Sequence, residues 1–230
     1  MTTPRYPWLL FDADDTLFDY GRAETDALVG AFAAQGVGFQ DAWLPVYQRV
    51  NAAAWRLLEE GAVTAARLRV LRFEQLFSEL RLALDPAAFS AVYLRQLSQQ
   101  AHLVDGALDV LKSLHATHRF AIITNGLSDV QRPRLASSPL APLIDHVLIS
   151  EELGVAKPAP GFFDIAIERL GSPDRRDLLI IGDSLSSDIA GGAASGIDTC
   201  WFNPGGLPQR ADVVPTYEIR SLEELRAIVG

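Results

Sequence analysis

Five short apolar runs, each ending in a polar residue, limit most strongly what this chain can fold into. They are WLLFD (8–12), FAIITN (120–125), HVLIS (146–150), LLIIGD (178–183) and TCWFN (199–203). Unbroken apolar runs of this length fit strands buried on both faces, as in a parallel sheet with helices on each side. Helical patterns over 105–116, 160–170 and 187–195 lie between the later runs. Strand, helix, strand in that order predicts a doubly wound, Rossmann-like α/β core. A capping box, Ser221 with Glu224, predicts a last helix that closes the chain.

Residues 20–100 break the rhythm, with no strand-like run. Four helices fit instead, over 22–35, 41–59, 64–81 and 86–100. Gly36 and Gly38 follow the first, Gly61 ends the second, and Asp85-Pro86 opens the fourth with Pro at its first position. The expected organisation is a core of residues 1–19 and 101–230, interrupted by an all-helical insert at 20–100. An insert placed there overhangs the carboxyl ends of the strands, where doubly wound folds bind ligands.

Bulk properties narrow the partners. A net charge of -9, with no Lys/Arg run, disfavours a nucleic-acid polymer but not a small phosphorylated metabolite. Cys200 is the one cysteine, so no intrachain disulfide forms, and the four histidines show no metal-site spacing. The apolar stretch near the N-terminus is too short for a signal peptide or membrane span, so the expected location is cytoplasmic, with no membrane partner. A monomer or homodimer is expected.

The polar residues at the strand ends stand out as a set: Asp12, Asp14, Asp15 and Thr16; Thr124, Asn125 and Gly126; Asp183, then Asp188; and Lys157 before Pro158. In a parallel sheet these ends converge on one crevice. Several carboxylates there repel one another and call for a cation. With no His or Cys beside them, all-oxygen ligation suits Mg²⁺. Metal, lysine, threonine hydroxyl and backbone N–H groups are what a transferring phosphoryl group needs around its oxygens. Only two of the twenty basic residues are Lys, at 112 and 157, so a Lys at this point is a chemical choice.

The motifs D-x-D-x-T (12–16), T-N-G (124–126), K-P (157–158) and G-D-x-x-x-x-D (182–188) resemble, in order, those of the haloacid dehalogenase superfamily. The branch is the one with a helical cap after the first motif. The resemblance implies a magnesium-dependent phosphomonoester hydrolase working through an aspartyl-phosphate. It casts Asp12 as nucleophile and Asp14 as acid and then base. Lys157 would neutralise charge, and Thr124 with the backbone of Asn125 would hold phosphate oxygens. Asp12, the Asp14 carbonyl and Asp183 would bind Mg²⁺, with Asp188 as a further ligand or as support. Asp15 stands where the superfamily often has Gly.

FDADDTLF, IITNG, ISEELGVAKP and GDSLSSDIAGGAASGIDTCWFN are similar to the pyrimidine 5′-nucleotidase branch, which implies pyrimidine nucleoside monophosphates as substrates. In the insert, Asn51 and Trp55 lie four apart on one helical face, an amide and a stacking ring suited to a nucleobase. The other insert aromatics are expected to be core. A sugar-phosphate phosphatase is the alternative. Dehalogenation fits less well, because a departing halide needs no acid at Asp14. GDSLS (182–186) matches a serine-esterase signature, but the last histidine, His146, precedes it and leaves a triad without its base. Gly191, Gly192 and Gly196 make no dinucleotide fingerprint.

Overall fold

The computed structural model describes residues 4–230. β1 (Trp8–Phe11), β2 (Arg119–Thr124), β3 (His146–Ile149), β4 (Leu178–Gly182), β5 (Asp198–Phe202) and β6 (Tyr217–Ile219) form one sheet in the order β3-β2-β1-β4-β5-β6. Every neighbouring pair is parallel. β1 lies between β2 and β4, so the chain winds outward on both sides of it and a crevice opens at its carboxyl end. The doubly wound α/β architecture expected from the apolar runs is therefore present. β6 is an addition to it: an edge strand of three residues, alternately half-buried, exposed and buried, too short to register as an apolar run.

Four helices follow β1: α1 (Tyr20–Ala34), α2 (Trp43–Glu59), α3 (Ala65–Leu80) and α4 (Pro86–Ser98). Their starts follow from capping chemistry. Asp19, Thr64 and Asp85 accept backbone N–H bonds from Arg22, Arg67 and Ala87, respectively. Phe32, Tyr47, Phe73, Phe77, Phe89 and Tyr93 interlock as the core of this helical unit, with ring centroids 4.7 Å apart for Phe32–Phe89 and 4.9 Å for Phe73–Phe89. Leu127 and Val130, just past β2, join the same cluster and seat the unit beside the crevice.

The remaining helices are α5 (Ala107–Leu114), α6 (Ser128–Ser137), α7 (Ser150–Leu153), α8 (Pro160–Arg169), α9 (Ala190–Ala194) and α10 (Leu225–Val229). Alternation along the strands divides the core in two. Leu9, Phe11, Phe120, Ile122, Leu179 and Ile181 pack with α5 and α10 on one face. Trp8, Leu10, Ala121, Ile123 and Ile180 pack against Phe162 and Phe163 of α8 on the other. The stretch read as a helix over 187–195 is different in detail. It opens as a wide turn over Leu185–Ile189, where the Ile189 N–H reaches the Ser184 carbonyl at 3.2 Å, and only then becomes α9. The capping box at Ser221 and Glu224 is formed, and α10 follows it through one tight turn. No described helix is long and apolar enough to cross a membrane.

Phe73 is fully buried and touches four other aromatic rings, so Phe73→Ala should lower stability by about 3–5 kcal/mol. Denaturant unfolding followed by circular dichroism measures this; a loss under about 1 kcal/mol would mean that the aromatic cluster is loosely packed.

Candidate active site

The site is assembled from three adjacent strand ends. β1 runs into Asp12, whose N–H continues the ladder to the Ile181 carbonyl at 2.8 Å and thereby points the side chain out of the sheet end. The chain then turns sharply. The N–H groups of Leu17 and Phe18 bond back to the Ala13 carbonyl, and Asp15 sits at a φ of 58°. A left-handed residue at this point explains why Gly suits it. Asp is also tolerated there, and its carboxylate accepts the Tyr20 N–H at 3.1 Å. Thr16 links the first and last motifs: its hydroxyl accepts the Asp183 N–H at 3.1 Å.

Lys157 occupies the centre. Its side chain is 1% exposed, and its ammonium donates to Asp12 Oδ1 at 2.6 Å, Asp188 Oδ1 at 2.6 Å and the Ile123 carbonyl at 2.8 Å. All three ammonium donors are thus used. The Asn125 side chain holds the Lys157 peptide from both sides, donating to its carbonyl at 2.8 Å and accepting its N–H at 2.9 Å. Asp188, fully buried, also accepts the Ser184 N–H at 3.2 Å. This packing requires Gly182, because a Cβ there would lie 2.2 Å from Asp188 Oδ2.

Charge is unbalanced toward the negative. Burial above all, then the charges of Asp188 and Asp183, raises the Asp12 carboxyl well above its usual range, against the pull of Lys157. Asp183 is pushed up to about 7 by burial first, then by Asp188 and Asp15. Burial alone would lower the Lys157 ammonium, but the Asp12 and Asp188 carboxylates more than reverse that and hold it charged. Carboxylate oxygens of Asp12, Asp183 and Asp188 lie within 4.8 Å of one another. Such a group, all oxygen and short of positive charge, fits a hard divalent cation. Asp188 already spends its oxygens on Lys157 and Ser184, so Asp12 and Asp183 have the freer lone pairs.

Asp12 and Asp14 open into one chamber of about 210 Å³, lined also by Tyr20, Asn51, Trp55 and Thr124. Trp55 and Asn125 also line a larger cavity of about 1050 Å³, which runs between the helical unit and the loops after β3 and β4. The structure thus brings Asp12, Asp14, Thr124, Asn125, Lys157, Asp183 and Asp188 to one crevice and places Asn51 and Trp55 on its roof. Asn51 differs from the expected free reader of a base. Its Oδ1 accepts from Arg72 at 3.1 Å and its Nδ2 donates to Glu24 at 3.1 Å, so its amide is spent inside the helical unit and it shapes the wall. The Ser184 hydroxyl accepts the Ser187 N–H at 3.3 Å, a turn cap and not part of a serine–histidine pair.

Three residues around Asp14 were not anticipated: Tyr20, Gln131 and Arg134. Gln131 donates to Asp14 Oδ2 at 2.7 Å and Arg134 pairs with Asp14 Oδ1. Both lie on α6, whose internal Pro133 argues against a helix. The available signal was their i, i+3 spacing directly after T-N-G.

A parallel α/β fold whose strand ends hold an aspartate–lysine centre beside a cation-ready carboxylate group defines a hydrolase of the phosphatase kind. The chain belongs to the haloacid dehalogenase-like hydrolases, matching that family over residues 6–196. It is 39% identical over 226 residues to HAD-hydrolase YfnB of Bacillus subtilis (strain 168), covering 98% of this chain and 96% of that protein. A crystal structure of YfnB bound to magnesium, described as revealing interdomain movement, superposes with a TM-score of 0.91 over 97% of this chain and 98% of that one, at 39% identity. Pyrimidine 5′-nucleotidase YjjG of Escherichia coli (strain K12) is 35% identical, covering 98% of each chain. Pyrimidine 5′-nucleotidase PynA of Streptococcus pneumoniae (strain ATCC BAA-255 / R6) is 37% identical, covering 96% of this chain and 93% of that one.

Lys157→Met would leave Asp12 and Asp188 buried without their shared cation. Stability should fall by about 3–5 kcal/mol, and kcat on p-nitrophenyl phosphate by about a hundredfold or more. Denaturation and steady-state assays measure the two effects; wild-type kcat in a folded variant would remove Lys157 from the chemistry.

Proposed function

We propose that the protein is a magnesium-dependent phosphomonoester hydrolase that forms an aspartyl-phosphate on Asp12 and acts on pyrimidine nucleoside 5′-monophosphates. The observation that carries this reading is the shared chamber: Asp12 and Asp14 face the same small space, with Thr124 on its wall. Residues 20–100 act as the cap, and residues 1–19 with 101–230 as the core. Asp12 and Asp183, with the Asp14 carbonyl, hold Mg²⁺, while Asp188 supports Lys157 and the metal group. When bound, Mg²⁺ supplies charge that neutralises the transferring phosphoryl group and the clustered carboxylates.

The protein's own groups account for the two half-reactions. An Asp12 carboxylate oxygen bonds to phosphorus as the bond to the leaving oxygen breaks, and Asp14 gives that oxygen its proton. Lys157, fixed on Asp12, keeps the nucleophile aimed and offsets charge on the phosphoryl oxygens. Thr124 and the backbone of Asn125 hold those oxygens in line. In the second half, Asp14 takes a proton from a water molecule as the water oxygen bonds to phosphorus. The bond from phosphorus to Asp12 breaks, and inorganic phosphate leaves with both aspartates restored.

Substrate choice falls to the roof. A nucleoside 5′-monophosphate with its phosphate at Asp12 would extend toward Trp55, which borders both cavities. Trp55 is half-buried, with its indole available to stack on a base. The two nucleotidase relatives support the same substrate class.

Chelation should abolish hydrolysis, with Mg²⁺ restoring it and Ca²⁺ doing so poorly, because its looser coordination misplaces the nucleophile. Full activity after verified metal removal would discard the metal assignment. Stacking contributes about 1–3 kcal/mol per base, so Trp55→Ala should lower kcat/KM for UMP or dTMP by about tenfold. The same change should alter kcat/KM for acetyl phosphate, which has no base, far less. Equal losses would make Trp55 a packing residue of the cap. A wild-type preference for sugar phosphates over every nucleoside monophosphate would replace the nucleotidase reading with the sugar-phosphate one.

A further inference from the structure

We propose that Gln131 and Arg134 are positioning residues for the acid–base aspartate, and that Gly126 is a glycine so that Gln131 can reach it. This rests on the proposed role of Asp14. Both carboxylate oxygens of Asp14 are held from one helix: Gln131 Nε2 donates to Oδ2 at 2.7 Å, and Arg134 Nη1 pairs with Oδ1. The two residues are one helical turn apart on α6, so they present their side chains together.

Neither residue is there for the surface. Gln131 is 4% exposed and Arg134 is 0% exposed. Among the described residues, Asp14 is the ionic partner of Arg134, whose Nε and Nη2 are buried without any acceptor. A guanidinium buried at such a cost, with one carboxylate to answer it, makes the Asp14 pose strongly preferred over its alternatives. The Asp14 side chain, by contrast, is 27% exposed and borders the chamber shared with Asp12. The clamp therefore fixes Asp14 at the wall of that chamber, and each held oxygen keeps a second lone pair for the reacting group.

Gly126 completes the device. A Cβ at this position would lie 2.2 Å from Gln131 Nε2 and 2.9 Å from Cδ and Cγ. The Gln131 side chain crosses directly over Gly126 on its way to Asp14. The third residue of the T-N-G motif thus serves the acid–base group through space, in addition to the turn in which its N–H bonds to the Thr124 hydroxyl at 3.0 Å.

The roles separate by leaving group. An alkyl phosphate, UMP or whichever sugar phosphate the enzyme hydrolyses best, needs a proton on its departing oxygen; p-nitrophenyl phosphate does not. Gln131→Met keeps the length and removes the donor. It should lower kcat for the alkyl phosphate about ten- to a hundredfold, with KM changed by less than about threefold. The pre-steady-state burst of nitrophenol should change far less. Gln131→Glu, which sets a second carboxylate against Asp14, should lose more in the same pattern. Gly126→Ala should show that pattern too, and should add little to Gln131→Ala, because the obstructed side chain is then gone. Asp14→Asn is the reference and should show the largest discrimination between leaving groups. Discrimination by Asp14→Asn without any by Gln131→Met or Gln131→Glu overturns the positioning role and leaves the proposed mechanism standing. No discrimination by Asp14→Asn itself overturns both.

Discussion

The ammonium of Lys157 is the interaction on which the site depends. It is buried, and its three donors go to Asp12 at the end of β1, the Ile123 carbonyl near the end of β2 and Asp188 in the wide turn after β4. A buried cation in that position draws together carboxylates that would otherwise repel. The loop that delivers it is fixed by a two-way amide clamp from Asn125, so one motif holds the next. Thr16 does the same between the first and last motifs. The result is a centre pre-arranged before any substrate enters, which is how an electrostatically driven phosphoryl transfer gains most of its rate.

The same centre remains short of positive charge. One lysine sits among Asp12, Asp183 and Asp188, and burial raises both Asp12 and Asp183. Asp12 and Asp183 would hold a divalent cation that relieves that imbalance. Two glycines permit the close packing this entails, Gly182 under Asp188 and Gly126 under Gln131. The helical unit stands over the crevice on a shared apolar cluster with Leu127 and Val130, the latter on the helix that carries the Asp14 clamp. The helical unit and Asp14 are therefore mechanically adjacent.

Much of this was legible in the sequence, for a physical reason. A strand buried on both faces must be apolar throughout, so Asp12, Thr124 and Asp183 at the run ends announce themselves, and parallel topology makes them neighbours. The four helices after β1 were readable from Gly36, Gly61 and Asp85-Pro86, whose backbone demands are local. What was hidden depended on tertiary contact. β6 is held by pairing to β5 and not by its own pattern. The Gln131–Arg134 pair sits on a helix disguised by Pro133, and its target is more than a hundred residues away. Asn51 lines the chamber, but sequence carries no sign that Glu24 and Arg72 use up the amide expected to read a base.

The central claim is that Asp12, held by Lys157, receives the phosphoryl group. Rapid acid quench of Asp14→Asn during turnover of p-nitrophenyl phosphate with Mg²⁺, followed by peptide mass spectrometry, locates the phosphorylated residue directly. Substitution of Asp14 should slow release of the phosphoryl group and let the intermediate accumulate. Phosphate on Asp12, absent in Asp12→Asn, is the expected result. Phosphate on Ser184 or on any other residue, or undiminished turnover by Asp12→Asn, would contradict the account.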